Sequence, residues 1–370
     1  MDITDIKAEN IKKILNILRT SLNTTKRDLA AMTGLSFSTV SNLCNELKDK
    51  EILCEEKLND YSVGRTPSKL IFRCEQFCSI CVDLQQENQL NFAVLDFSNR
   101  ILYRTHFNIS DYKDVHQLLH LVEQTYCSLR SSDTFSGVCF VGVGVSVPGI
   151  YDQATGHVIN VTSSILSNVP LQRMLGDLLQ LPCYVDNESN LCALSVRQSH
   201  ADNNNIVYLH SSAGLGVGVV CDGRLLRGAN GHAAEVAHIP LGSRDIRCPF
   251  CGSLGCIEND LSQRGMDMLH FPGLTTQEKQ QLLQDRGEKL GELMSILVNL
   301  FDPTVFYIGG TGLSEYEALA PYALSVLKRR SPLKMERGLK ILHDTDSLRT
   351  IEQGINQIIY ENWNPLSGKH

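Results

Sequence analysis

The chain has 370 residues, enough at about 100 to 200 residues per domain for two or three domains that each bury a core. Apolar residues make up 42% and charged residues 20%, a balance that excludes a largely disordered or fibrous chain. The net charge of −7 is uneven: residues 1–75 hold 12 Lys and Arg against 11 Asp and Glu, whereas the remaining 295 hold 22 against 30. An acidic body repels nucleic acid, so any DNA contact must be local to the N-terminal segment.

No run approaches the roughly 18 consecutive apolar residues of a membrane span, and MDITDIKAENIKK lacks the apolar core of a signal peptide. A cytoplasmic protein without membrane contact is expected. Its 13 cysteines are odd in number and scattered, unlike the framework of a small secreted domain, so most read as reduced thiols.

In chain order, Ile11, Ile14, Leu15, Leu18 and Leu22 repeat at helical spacing and define one apolar face. Next, Thr24 or Thr25 can cap a short helix that Gly34 interrupts after about two turns. A second helix starts near Ser36 and turns Val40, Leu43, Cys44 and Leu47 inward. This is the helix-turn-helix layout: Ala30 permits a close crossing and Gly34 a positive φ. The outer face of the second helix then carries Ser36, Ser38, Thr39, Ser41 and Asn42, side chains suited to base edges and phosphates, with Lys26, Arg27 and Lys48 placed to meet backbone phosphates. ILCEEKL and SKLIFR read as a β-hairpin wing with Gly64, Arg65 and Thr66 at its tip, and a wing arginine suits a narrow minor groove. The alternative is a helical pair used only for dimerisation.

From about residue 78 the pattern changes. SICVDL, LNFAVLDF and RILYRTHF read as three strands, followed by a helix over 112–130 and the strand VCFVGVGVSV. The order returns with NIVYLH, GVGVVCD and GRLLRG, then a helix near 277–300 and the strand TVFYIGG. Two such halves predict a duplicated α/β body with a cleft between lobes, and the segment LRTIEQGINQIIYEN predicts a helix packed back on the first lobe. The expected domains are residues 1–75, residues 76–190 with 345–370, and residues 191–344.

Between the halves, Cys248 and Cys251 have CxxC spacing, Cys256 follows, and His238 precedes them by ten residues. One imidazole and three thiolates form a closed tetrahedral set typical of structural zinc, with no position left for a catalytic water. Three free thiols in a loop are the alternative. GLGVG at 214–218 can cradle phosphate or serve a tight hairpin, and PG at 148–149 and GGTG at 309–312 follow strands where α/β folds bind ligands. Asp186, Asn187, Glu188 and Asn190, with Glu235, His238 and Glu258, supply carboxylates and amides able to bond a polyol.

Together GVGVSVPG, LPCYVDNESN, GLGVGVVCDGRLLRGANGHAAEVAH, CPFCGSLGCIEN and FDPTVFYIGGTG, behind a helix-turn-helix and a GRTP wing, resemble the ROK family (repressor, open reading frame, kinase) over nearly the whole chain. The resemblance implies a ribonuclease-H-like (actin/hexokinase) two-lobed body of the α/β class, structural zinc, and a sugar or sugar-phosphate inducer in the cleft. The N-terminal domain places the chain with the family's repressors, of the xylose- and N-acetylglucosamine-responsive type, acting on operator DNA. A winged domain reads few base pairs, so a homodimer or higher homo-oligomer is expected.

Departures from the family's kinase pattern argue against ATP. Where kinases carry DxGxT, this chain has Asp83, Leu84, Gln85, Gln86 and Glu87, which puts a carboxylate where phosphate oxygens would lie; Glu188 stands where the family's catalytic aspartate is found. The resemblance carries over Asn187, Glu188, Glu235, His238 and Glu258 as ligand residues. Ala234 and Ala237 replace two family glycines and Leu166 a tryptophan, changes expected to reshape the pocket.

Overall fold

The computed structural model describes residues 3–57, 68–84, 88–159, 165–199, 204–268 and 273–366. The N-terminal unit has helices α1 (Ile3–Thr20), α2 (Lys26–Thr33) and α3 (Phe37–Asp49) and the antiparallel pair β1 (Leu53–Lys57) and β2 (Ser68–Phe72). Thr25 caps α2 in a reciprocal capping box with Asp28, Gly34 closes it at φ 70°, and Ser36 caps α3. Ile11, Ile14, Leu15 and Leu18 are buried as their spacing predicts. Leu22 is not: α1 ends at Thr20, the periodic face stops with it, and Leu22 is 94% exposed.

The first lobe follows as β3 (Phe77–Asp83), β4 (Gln89–Asp96), β5 (Ile101–Asn108), α4 (Val115–Arg130), β6 (Cys139–Val147), the hairpin β7 (Ile150–Asp152) and β8 (His157–Ile159), α5 (Leu171–Leu179) and β9 (Cys183–Asn187). Helix α6 (Glu188–Gln198) leads to the second lobe: β10 (Ile206–Ser211), β11 (Leu215–Cys221), β12 (Arg224–Leu225), α7 (Glu258–Leu261), α8 (Gln263–Met268), α9 (Thr276–Phe301), β13 (Val305–Gly309), α10 (Tyr316–Arg330), α11 (Pro332–Glu336) and β14 (Lys340–Asp344). Helix α12 (Ser347–Asn362) is the last element.

The two sheets run in matching order, β5-β4-β3-β6-β9 and β12-β11-β10-β13-β14, each with antiparallel strands on one side and parallel strands on the other. This is the duplication the sequence suggests. The lobe boundary expected after residue 190 falls inside α6, a helix that packs on α12 and on β10 and β11. The packing depends on glycine: a Cβ on Gly218 would overlap the Ser189 carbonyl, one on Gly354 would overlap the Leu191 carbonyl, and one on Gly216 would lie 2.9 Å from the Ser189 hydroxyl.

One apolar core runs from Leu15 and Leu47 of the N-terminal unit through Phe72, Phe77 and Phe97 to Ile355, Ile359 and Tyr360 of α12 and on to Leu191 and Ala193 of α6. Trp363 stacks on Phe72 with ring centroids 6.2 Å apart. Each lobe also has its own core beneath the other face of its sheet.

Candidate functional site

The end of β9 and the start of α6 bring the first polar group together. Asp186 and Asn187 are the last two strand residues, and the Asn187 side chain caps α6 by accepting from the Asn190 backbone N–H at 2.9 Å. Asp186 is buried and accepts from the Asn190 amide at 2.9 Å and from Arg227 at 2.6 Å, so it holds this corner rather than lining the space beyond it.

That space is a cleft of about 200 Å³ between the lobes, lined by Asn187 and Glu188 from the first and by Glu235, His238 and Glu258 from the second. All five predicted ligand residues therefore meet at one site. Glu188 Oε2 is buried without a hydrogen-bond partner although part of the residue reaches the surface. Its burial, reinforced by the nearby Asp83 and Glu235 carboxylates, pushes its pKa up to about 8. Burial also raises Glu235 and Glu258, each partly offset by His238. With its pKa at about 8, the Glu188 carboxyl is largely protonated at neutral pH and can both donate to and accept from a hydroxyl group.

The glycines sort themselves by position. Gly149, at φ 85°, and Gly214 line the cleft, and a Cβ on Gly214 would lie 2.9 Å from Glu258 Oε1. Gly216 and Gly218 belong to β11 and admit the approach of α6, and Gly216 also lines the cleft beside Gly214, so GLGVG serves helix packing along one stretch and borders the cleft along another. Gly312 likewise abuts Ser211 and Gln263. Ala237 lines the cleft, and Ala234 holds a left-handed backbone at φ 63° immediately before Glu235. Leu166 lies in the first-lobe core and not in the cleft wall, so the reshaping expected there does not arise from it. Gln85, Gln86 and Glu87 of the expected phosphate loop lie outside the described residues.

Beside the cleft, His238, Cys248, Cys251 and Cys256 bring four donor atoms within 4.8 Å of one another. Cys248 Sγ is 3.7 Å from His238 Nδ1 and Cys251 Sγ is 3.4 Å from Cys256 Sγ, too far for a disulfide and near the roughly 3.8 Å edge of a tetrahedron with 2.3 Å metal–sulfur bonds. The donors thus fit a tetrahedral ion. The loop is braced by buried Asp260, which accepts from the Ser243 backbone at 2.7 Å and its hydroxyl at 2.6 Å and pairs with Lys289. His238 belongs both to this cluster and to the cleft wall.

In the N-terminal unit, Arg27, Ser36, Phe37, Ser38 and Asn42 are exposed, while Lys26, Thr39 and Ser41 are half-buried. The Ser36 hydroxyl is engaged as the α3 cap, accepting from the Thr39 N–H at 3.1 Å. Lys26 and Lys48 both pair with Glu55, at 3.2 and 3.0 Å, which sequence reasoning missed because the partner lies on a different element. Gly64, Arg65 and Thr66 lie outside the described residues.

Sequence comparison agrees with this architecture. The ROK family profile matches residues 79–331 and a winged helix-turn-helix DNA-binding profile matches residues 7–53. The xylose repressor of Caldicellulosiruptor bescii is 26% identical over 90% of this chain and 91% of its own length. Among solved structures, a ROK family transcriptional regulator homologous to the E. coli MLC protein superposes with a TM-score of 0.81 at 21% identity over 96% of this chain and 97% of that one. A ROK hexokinase from Thermus thermophilus superposes with a TM-score of 0.62 at 21% identity, covering 76% of this chain and 97% of its own. The hexokinase match shares the two-lobed fold, and the longer matches include the N-terminal unit as well. With more than half of its residues matched by the family profile, this chain belongs to the ROK family.

Proposed function

We propose that the protein is a sugar-responsive transcriptional repressor that binds operator DNA through α2, α3 and the wing, and releases it when a sugar or sugar phosphate occupies the interlobe cleft. The observation that carries this reading is the continuous core joining the DNA-reading unit to α12 and α12 to α6, the helix that begins with the cleft residues Asn187 and Glu188. A ligand that shifts the lobes moves α6, and α6 cannot move without α12 because Leu191 and Gly354 are in direct backbone contact.

Several finer points support the same reading. The cleft of about 200 Å³ is below the 300–1,000 Å³ typical of drug-sized ligands and suits one small polyol. The four donors near it suit zinc, which as a closed site would stabilise the loop and present His238 to the ligand. Two related winged units on one operator call for a homodimer in the cytoplasm. Glu188, displaced by one methylene from an aspartate base and with its Oε2 buried without a hydrogen-bond partner, favours a binding role over proton transfer.

Gel-shift titration of full-length protein on its own upstream DNA, with a panel of pentoses, hexoses and their phosphates, tests the proposal. One sugar should release the DNA, and Glu235→Ala should abolish the release while leaving operator binding intact. ADP production with any of these sugars, lost in Glu188→Ala, would restore the kinase reading.

A further inference from the structure

A second cavity, of about 410 Å³, lies between the lobes and shares no lining residue with the cleft. Arg197 of α6, Arg224 of β12 and Arg227 just beyond it all face this recess, in a chain whose net charge is −7. Two of the three are answered by carboxylates: Arg227 pairs with Asp186 at 2.6 Å and Arg197 with Glu361. Arg224, exposed on the edge strand of its sheet, makes no ion pair with any described residue. Across the recess the first lobe offers the amides of Gln153 and Gln172, and the Gln172 oxygen already accepts from the Tyr151 hydroxyl at 2.6 Å, leaving its NH₂ to donate.

We propose that this recess binds a small phosphorylated molecule, with the phosphate on Arg224 and Arg227 and the remainder against the amides of Gln153 and Gln172. The charge balance selects the ligand class. Arg197 offsets Glu361, which lines the same recess, so among the described residues Arg224 is the cation with only solvent beside it. A phosphate dianion would give it a charged partner and share the guanidinium fork of Arg227, a geometry suited to bidentate oxyanion binding, which a neutral sugar could not do. The site also touches the cleft indirectly. Asp186, the partner of Arg227, accepts from the Asn187 N–H at 2.9 Å, so the same carboxylate anchors a cleft residue and an arginine of the recess.

Isothermal titration of the full-length protein at physiological salt, with inorganic pyrophosphate and glucose 6-phosphate as probes and citrate as the non-phosphate anion, tests this site. One phosphorylated probe should bind saturably at one per chain, at least tenfold more weakly to Arg224→Gln, and with unchanged affinity to Glu235→Gln, whose substitution lies in the other cavity. Absence of saturable binding by both probes, equal affinity for Arg224→Gln, loss of binding in Glu235→Gln, or tighter binding of citrate than of either phosphate would overturn the assignment.

Discussion

The Arg19 guanidinium lies 4.3 Å from the centre of the Tyr360 ring, fastening the first helix of the DNA-reading unit to the last helix of the body. Arg19 also donates to Gln357 Oε1 at 2.8 Å and to the Phe97 carbonyl, and Tyr360 returns a bond to Asn16 at 2.8 Å. The Lys12 amine lies 4.8 Å from the same ring, where burial and the neighbouring Arg19 charge lower its pKa to about 7. A desolvated cation over an aromatic ring contributes about 2 kcal/mol, and each acceptor left unpaired adds a cost of about 1–3 kcal/mol. Arg19→Ala should therefore loosen this joint by a few kcal/mol. Proteolysis between α1 and the body should accelerate, and operator binding should persist while its response to sugar falls; an unchanged sugar response would refute the mechanical link.

Zinc removal should unfold the loop from His238 to Cys256 before the rest of the second lobe. Chelation, or Cys251→Ser, should lower the melting temperature by several degrees, and elemental analysis of protein purified without chelator should return one zinc per chain. A Cys251→Ser variant that melts with the wild type would remove the metal from the account.

Glu188 makes stability depend on pH in a direction that can be checked. Its carboxyl titrates near 8 in the folded chain against an ordinary value of 4.5, so its contribution to stability is complete below about pH 4.5 and is lost as pH rises through 8. Glu188→Gln keeps the neutral shape and never ionises. Relative to wild type, its unfolding free energy should rise between pH 5 and pH 9 by about 2–4 kcal/mol, measured by urea denaturation at each pH. A pH-independent difference would mean that Glu188 is well solvated.

Ala234 occupies a left-handed backbone that glycine adopts freely. Ala234→Gly should stabilise the protein by about 1 kcal/mol, and should relax the position of Glu235 enough to change sugar affinity. Denaturation and sugar titration of the same variant separate the two effects; a loss of stability would show that the alanine methyl packs better than the strain costs.

On the DNA side, Arg27 and Asn42 should behave differently. Arg27→Ala should weaken binding to all sequences alike and reduce the salt slope by about 1, as loss of one phosphate contact does. Asn42→Ala should instead relax preference at one base position, by about 1–3 kcal/mol, when binding is measured on single-base operator variants. Equal effects of both changes on specific and random DNA would place Asn42 on the phosphates.

Local features were legible in the sequence because neighbouring residues create them. Thr25, Gly34 and Ser36 set the ends of α2 and α3 through caps a few residues long, and the spacing of Cys248, Cys251 and Cys256 limits the loop to a shape that can gather their sulfurs. The order of strands and glycine turns likewise foretold two matching halves, since each half repeats its own alternation. Tertiary structure decided what distant segments do to one another. GLGVG could equally cradle phosphate or make a tight hairpin, and only the structure shows α6 lying on Gly216 and Gly218; Lys26 looked free for DNA until Glu55 was found beside it. The joining of α6, α12 and α1 into one core was equally invisible, because burial against a remote helix leaves the same apolar periodicity whichever helix provides the partner.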